Sequence, residues 1–184
     1  MNAGARAASG DTLWFVHADS RVPPGSESII NQALSTPGVV VGCFRLRFPR
    51  RNWIYRISDS WGNLAVDLFG FAFGDHGIFC RREPFIAAGG FPDVPLMEDA
   101  EFCRALKRHG RMHQVRDEIQ TSPRRYEQRG PVRTTLFYLL ILLLYLCRVD
   151  LFQLAWLHRC FGGRGKTSSA LADASRFAPV DGDQ

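Results

Sequence analysis

The stretch TTLFYLLILLLYLC, residues 134–147, constrains this chain more than any other. A helix that is apolar on every side has no face to give to water, so it is either buried or laid in a membrane surface. Spanning a bilayer takes about 20 residues, and this run is too short. Pro131 suits the first turn of a helix that starts just before the run. Arg133 and Arg148 flank it, as they would flank an interfacial helix. Both dispositions stay open on the sequence.

Before that segment, helix-patterned and strand-patterned stretches alternate, which predicts an α/β protein. MNAGARAASGD reads as a helix that stops at Gly10. Leu13–Val16 reads as a short buried strand, followed by His17-Ala18-Asp19 and closed by Pro23-Pro24. PPGSESIINQAL has helical spacing, and GVVVGCFRLRF reads as a strand with Phe44, Leu46 and Phe48 on one face. NWIYRISDSWGNLAVDLFGF predicts a helix with Ile54, Ile57, Trp61, Leu64 and Leu68 on one stripe. FAFGDHGIFCRR suggests two short strands around a turn at residues 74–77. REPFIAAGGF is a helical turn ended by glycines, EDAEFCRALKRHG a helix ended by Gly110, and RMHQVRDEIQTS a strand. From Gly162 onward the composition is small and polar, which predicts a flexible tail over residues 162–184.

The five cysteines are widely spaced and form no C-x-x-C pair. That argues against a zinc site and a disulfide framework, and a reducing compartment is the simplest context. The opening residues are small and polar, unlike a signal peptide. A net charge of +5, carried almost wholly by arginine, permits a phosphate-bearing partner such as a nucleotide, an acidic lipid or a nucleic acid. The stretch GGRGKTSS imitates the end of a phosphate-binding P-loop, but Cys160 stands where the first glycine is needed.

Two carboxylates stand out. Asp19 follows a buried strand, at the end where open α/β sheets bind ligands, although it could equally cap a turn. On the 98–110 helix, about 100° per residue puts Asp99 on the same face as Phe102, Cys103 and Leu106. Glu101, Arg104 and Arg108 face the other way, so Glu101 is expected in solvent. An acid in the first turn suits the helix dipole, but that does not explain why it sits on the inward face. A shielded carboxylate there can accept a proton. Two separated acids in one cleft can divide the work, one on a divalent cation and one as base. Asp75 and His76 can simply serve their turn. Arg124, Arg125 and Arg129, beside Tyr126 in a loop, suit a diphosphate as well as they suit solvent.

The order of these motifs resembles the family 2 glycosyltransferases of the GT-A fold. It looks closest to a bacterial subgroup of small "transferase 2" proteins associated with radical-SAM and selenodomain proteins. The matching stretches are NAGARAASGD, HADSRVPP, GDHGIFCRR, AAGGFPDVPLMEDAEF and TSPRRYEQRG, over roughly residues 2–160. The resemblance implies an inverting transfer of a sugar from a nucleotide-diphospho-sugar to an acceptor hydroxyl. It casts Asp19 as the ligand of a divalent metal, Mn or Mg, and Asp99 of the Glu98-Asp99 pair as the catalytic base. His17 stands where many members have the first acid of an Asp-x-Asp-like motif, on the nucleotide. Asp75 falls in the region that shapes the acceptor side. The family's Gln-x-x-Arg-Trp-like motif falls on Ser122, Arg125 and Tyr126, with Arg124 beside it.

Further strands and much of the nucleobase site normally precede the NAGA motif. Residues 1–161 are therefore expected to be the C-terminal part of a GT-A domain, lacking the first strands of its mixed sheet and ending in apolar helices. The implied partners are the donor and an unknown acceptor, with no nucleic acid. The expected place is the cytoplasm, and the apolar helix 134–147 leaves open a peripheral contact with the inner membrane surface. The rival expectation is a fragment without activity that docks on a membrane surface or a partner.

Overall fold

The computed structural model describes residues 1–49 and 52–161; the expected tail, residues 162–184, lies outside the described residues. Among the described residues, four strands form one mixed sheet in the order β1 (Thr12–Trp14), β3 (Phe79–Arg81), β2 (Val39–Arg47), β4 (Arg111–Gln120). β3 runs antiparallel to both of its neighbours, and β2 and β4 are parallel. β1, β2 and β4 therefore share one direction, and their C-terminal ends lie at the same edge of the sheet as the start of β3.

The pleat sends alternate residues to opposite faces, and each face has its own cover. Phe44 and Phe79, with Val115 and Ile119, pack under Ile30, Ala33 and Leu34 of α2 (Ser26–Ser35). Leu13, Val41, Cys43 and Cys80 face the other way. They join Phe102, Cys103 and Leu106 of α5 (Glu98–Leu106), and Phe137, Ile141 and Tyr145 of α7 (Pro131–Leu146). Gly42 sits where the sheet is tightest: a Cβ there would press into the Phe79 ring and come within 2.8 Å of the His113 carbonyl.

The remaining helices are α1 (Asn2–Ala7), α3 (Trp53–Phe69), α4 (Arg82–Ala87), α6 (Arg124–Arg129) and α8 (Leu151–Cys160). Residues 74–76 form a single 3₁₀ turn. Several elements differ from the sequence reading. The first strand ends at Trp14, although the Phe15 amide still bonds the Ile78 carbonyl at 2.8 Å. Only one strand, β3, flanks the 74–77 turn; Phe71 and Ala72 are buried without strand pairing. The arginine-rich loop is helical, as α6, because Tyr126 is drawn into a cluster with Phe48 and Tyr55.

Two helices divide their apolar residues in an unexpected way. On α3 only Ile54 of the expected stripe is buried; Ile57, Trp61, Leu64 and Leu68 are exposed. The face α3 lays on the sheet is mostly small and polar. Asn63 both donates to and accepts from the backbone of Leu46, at 3.0 and 2.8 Å, and Ala65 and Val66 fill the gap. On α7 one side is buried and the other is exposed. Thr134, Phe137, Ile141 and Tyr145 are buried, whereas Val132, Leu136, Leu140 and Leu143 are exposed. No helix among the described residues is long and apolar enough to cross a membrane.

Candidate active site

The shared end of the sheet gathers side chains from distant parts of the chain. β1 delivers the turn at His17–Ser20, closed by a Ser20 N–H to His17 carbonyl bond of 3.0 Å. This loop then crosses the end of the sheet and pairs with β4, through a 2.7 Å bond from the Arg21 amide to the Gln120 carbonyl and a 2.9 Å bond in return. The 3₁₀ turn before β3 contributes Asp75, the start of α5 contributes Glu98 and Asp99, and the chain after β4 contributes Ser122, Arg124 and Arg125. All of these, with His17 and Asp19, line one cavity of about 1380 Å³. Residues spread over more than half of the sequence therefore meet in one cleft, at the end where open α/β sheets bind ligands.

Asp99 is the best-defined group in it. One carboxylate oxygen, Oδ2, accepts a 2.8 Å bond from the Gly74 amide. The other, Oδ1, is buried and has no hydrogen-bond partner among the described residues. Burial, and then the neighbouring Glu98 charge, push its carboxyl up to about 6, against the Gly74 hydrogen bond. The fit at Gly74 is close: a Cβ there would strike the His17 ring and lie 3.0 Å from Asp99 Oδ2, so these side chains would have to move.

Asp99 is also aimed by strain. Met97, the residue before α5, is buried and held at φ 65°, a left-handed conformation that costs a non-glycine residue on the order of 1–3 kcal/mol. The Met97 carbonyl starts the helix by accepting from the Glu101 amide at 3.0 Å. Sequence reasoning missed this residue, because nothing in its identity signals a positive φ.

On the same side of the cleft, close to Asp99, His17 Nε2 stands 3.9 Å from Asp75 Oδ1. Asp75 keeps 45% of its side chain open, yet the burial of the remainder raises its carboxyl, opposed by the charges of His17 and Arg125. Burial alone would lower the Arg125 pKa; Tyr138, Asp75 and Asp19 outweigh it and hold the guanidinium raised. Arg125 thus lies in the field of both acids. Asp19 itself is exposed. His76, beside Asp75, is fully buried, and neither ring nitrogen has a partner among the described residues. Burial lowers its pKa to about 4, so it is neutral.

Among the described residues, no three His, Cys, Asp or Glu side chains are grouped to hold a metal ion unaided. The donor set still suits a divalent cation bound jointly with a diphosphate, which typically needs only one or two protein carboxylates. Asp19 is open to supply one, with Arg125 close enough to take the remaining phosphate charge.

Two expectations need correcting. Glu101 is not a freely solvated residue: it accepts a 2.5 Å bond from the Tyr145 hydroxyl and pairs with Arg104 at 3.1 Å, tying α7 to α5. Tyr126 lines the cavity but is buried at 8% exposure, and its hydroxyl is engaged with Ser58 Oγ at 2.7 Å.

A scan against protein-family models finds no match, and a search of the curated proteins finds none either.

Proposed function

We propose that the protein is a metal-dependent, inverting glycosyltransferase acting on a nucleotide-diphospho-sugar and an acceptor hydroxyl. One observation carries this reading. A buried carboxylate with a free oxygen and a raised pKa, Asp99, shares a cleft with an arginine pair and an exposed acid, Asp19. A pKa near 6 leaves Asp99 ionised at neutral pH, and more basic than an ordinary aspartate. It takes the proton from the acceptor hydroxyl as that oxygen attacks the anomeric carbon. The bond from that carbon to the diphosphate oxygen breaks on the opposite face, and the electron pair leaves with the diphosphate. Arg124 and Arg125 bind the departing diphosphate through charge-assisted hydrogen bonds. His17 and Glu98 contact the donor, and Asp75 borders the acceptor. A Mn or Mg ion held at Asp19 with the diphosphate would neutralise further charge on the leaving group.

The fold part of the reading is a partial GT-A sheet. It is supported by three parallel strands and one reversed strand whose shared end gathers these groups. A cytoplasmic setting is supported by cysteines that are free thiols, three of them buried. A second reading, a docking module without activity, is favoured by the exposed apolar stripes of α3 and α7.

Calorimetry with a panel of nucleotide-sugars, with and without Mn, separates the two. Glycosyl transfer predicts Mn-dependent donor binding that Asp19→Asn abolishes. Equal binding by wild type and Asp19→Asn removes the metal role. No binding by the wild type leaves the docking module.

A further inference from the structure

Three neighbouring helices each turn an apolar stripe outward. α3 packs on α7, and α7 packs on α8. At about 100° per residue, Trp53, Ile57, Trp61, Leu64 and Leu68 fall within one narrow arc of α3. This arc is separate from the small and polar face that α3 lays on the sheet. Val132, Leu136, Leu140 and Leu143 repeat the same spacing on α7, and Phe152 and Trp156 share a face of α8. Exposure is high throughout: Trp53 is 64% exposed, Leu68 64%, Leu136 62% and Trp156 62%. Of the chain's four tryptophans, three lie on these stripes, at Trp53, Trp61 and Trp156. Tryptophan is the residue most at home where hydrocarbon meets water.

Charge identifies the occupant. The two apolar helices, residues 131–161, carry Arg133, Arg148 and Arg159 against a single carboxylate, Asp150. Asp150 is already engaged, accepting from the Phe152 and Gln153 amides at 2.9 and 3.3 Å. Arg159 falls on the same face of α8 as Phe152 and Trp156, and Arg133 borders the α7 stripe. No acid lies in the α3 arc. Of the acids on α3, Asp67 pairs with Arg45 at 3.2 Å and Asp59 accepts from the Phe48 amide at 3.1 Å. Apolar side chains bordered by Arg133 and Arg159, with Asp150 capping α8 and Asp67 paired to Arg45, match an anionic lipid surface: acyl chains below and phosphates above.

We propose that the outer stripes of α3, α7 and α8 form a docking surface for an anionic bilayer, on which the protein lies without spanning it. This docking holds whether or not the cleft transfers sugar. Trp61 and Leu139 also line the cavity, so the docked protein would open its cleft near the lipid.

The test is co-sedimentation of the whole chain with vesicles of phosphatidylcholine, with and without phosphatidylglycerol. The expected result is binding that requires phosphatidylglycerol and weakens at high salt. A Trp53→Ser, Trp156→Ser double variant should lose binding while melting like the wild type, since both side chains are exposed. Arg133→Glu and Arg159→Glu should each weaken binding at least about five-fold, the worth of one basic residue near such a surface. Absence of binding to phosphatidylglycerol vesicles overturns the proposal, as does equal binding by the tryptophan double variant. Light scattering that shows a wild-type dimer, dispersed by the same two substitutions, also overturns it, because a second copy would then be the occupant.

Discussion

α5 and α3 both carry an apolar stripe at helical spacing, and they use it in opposite ways. On α5 the stripe goes inward: Phe102, Cys103 and Leu106 are fully buried, and Asp99 at its head is carried into the cleft. On α3 the stripe goes outward, and the helix meets the sheet through Asn63, Ala65 and Val66 instead. Periodicity reports which residues share a face. It does not report what that face meets, because a close approach to the sheet can favour small residues over large ones. Asn63 holds α3 by hydrogen-bonding the end of β2, so α3 has no need to bury its tryptophans there.

The sharpest way to break the contrast is at the head of the α5 stripe. Asp99→Asn keeps the shape and can still accept from the Gly74 amide, but it cannot take a proton. Turnover should fall by about 10²–10⁴-fold with donor affinity nearly unchanged. Glu101→Gln should leave turnover within about two-fold of wild type, because that side chain holds Tyr145 and not the cleft. Steady-state rates for both variants decide it: if Glu101→Gln is the more damaging, Asp99 is not the base. The wild-type kcat/KM should also rise with pH through about 6 as Asp99 loses its proton.

Stability should separate the stripes next. Phe102→Ala empties a fully buried site, stacked on Phe91 at 3.9 Å between ring centroids, and should cost about 3–5 kcal/mol. Leu68→Ala on the outward stripe should stay within about 0.5 kcal/mol. Denaturant midpoints for the pair measure the difference, and equal losses would show that something covers the α3 stripe in solution.

The smallest effect is a pH dependence. The folded Asp99 carboxyl, at about 6, lies above its ordinary value of 3.8, so the folded state holds the extra proton between those values. Unfolding stability should fall as pH rises from about 4 to about 6, by at most ~3 kcal/mol from this group. Asp99→Asn should flatten that slope. His76 acts in the opposite sense. Its folded pKa near 4 is below the ordinary 6.5, so its contribution is lost as pH falls from about 6.5 to about 4. Melting curves of Asp99→Asn against wild type across this range isolate the aspartate; an unchanged slope would mean that Asp99 is no more shielded than a surface acid.

The cleft was largely legible in the sequence and the surface was not. Asp19 and Asp75 follow apolar runs and Asp99 heads a helix with an apolar stripe, so a correct strand and helix order is enough to place these three at element ends; Arg125 has no such run beside it. The 98–110 helix phase then turned Asp99 inward. Glu101 departs from its expected solvent position because its partner, Tyr145, lies 44 positions away and belongs to a helix with no visible polar face. The sequence around Tyr126 suggests a loop, because its pull toward Phe48 and Tyr55 is a tertiary contact that local composition does not carry. The outward stripe of α3 failed for the same reason: only the packing against β2 decides which face wins.

Met97 sets a limit on how the cleft can change. Its backbone would be eased by glycine, but its side chain fills core space at 8% exposure. Removing that side chain should cost about 2–5 kcal/mol, which offsets the roughly 1–3 kcal/mol of relief at the backbone. Larger or β-branched residues meet the opposite penalty, a conformation they rarely adopt. A saturation library at this position should therefore return few folded variants. The approach to Glu98 and Asp99 is a place where drift stalls, and new specificity would have to arise from the open rim instead.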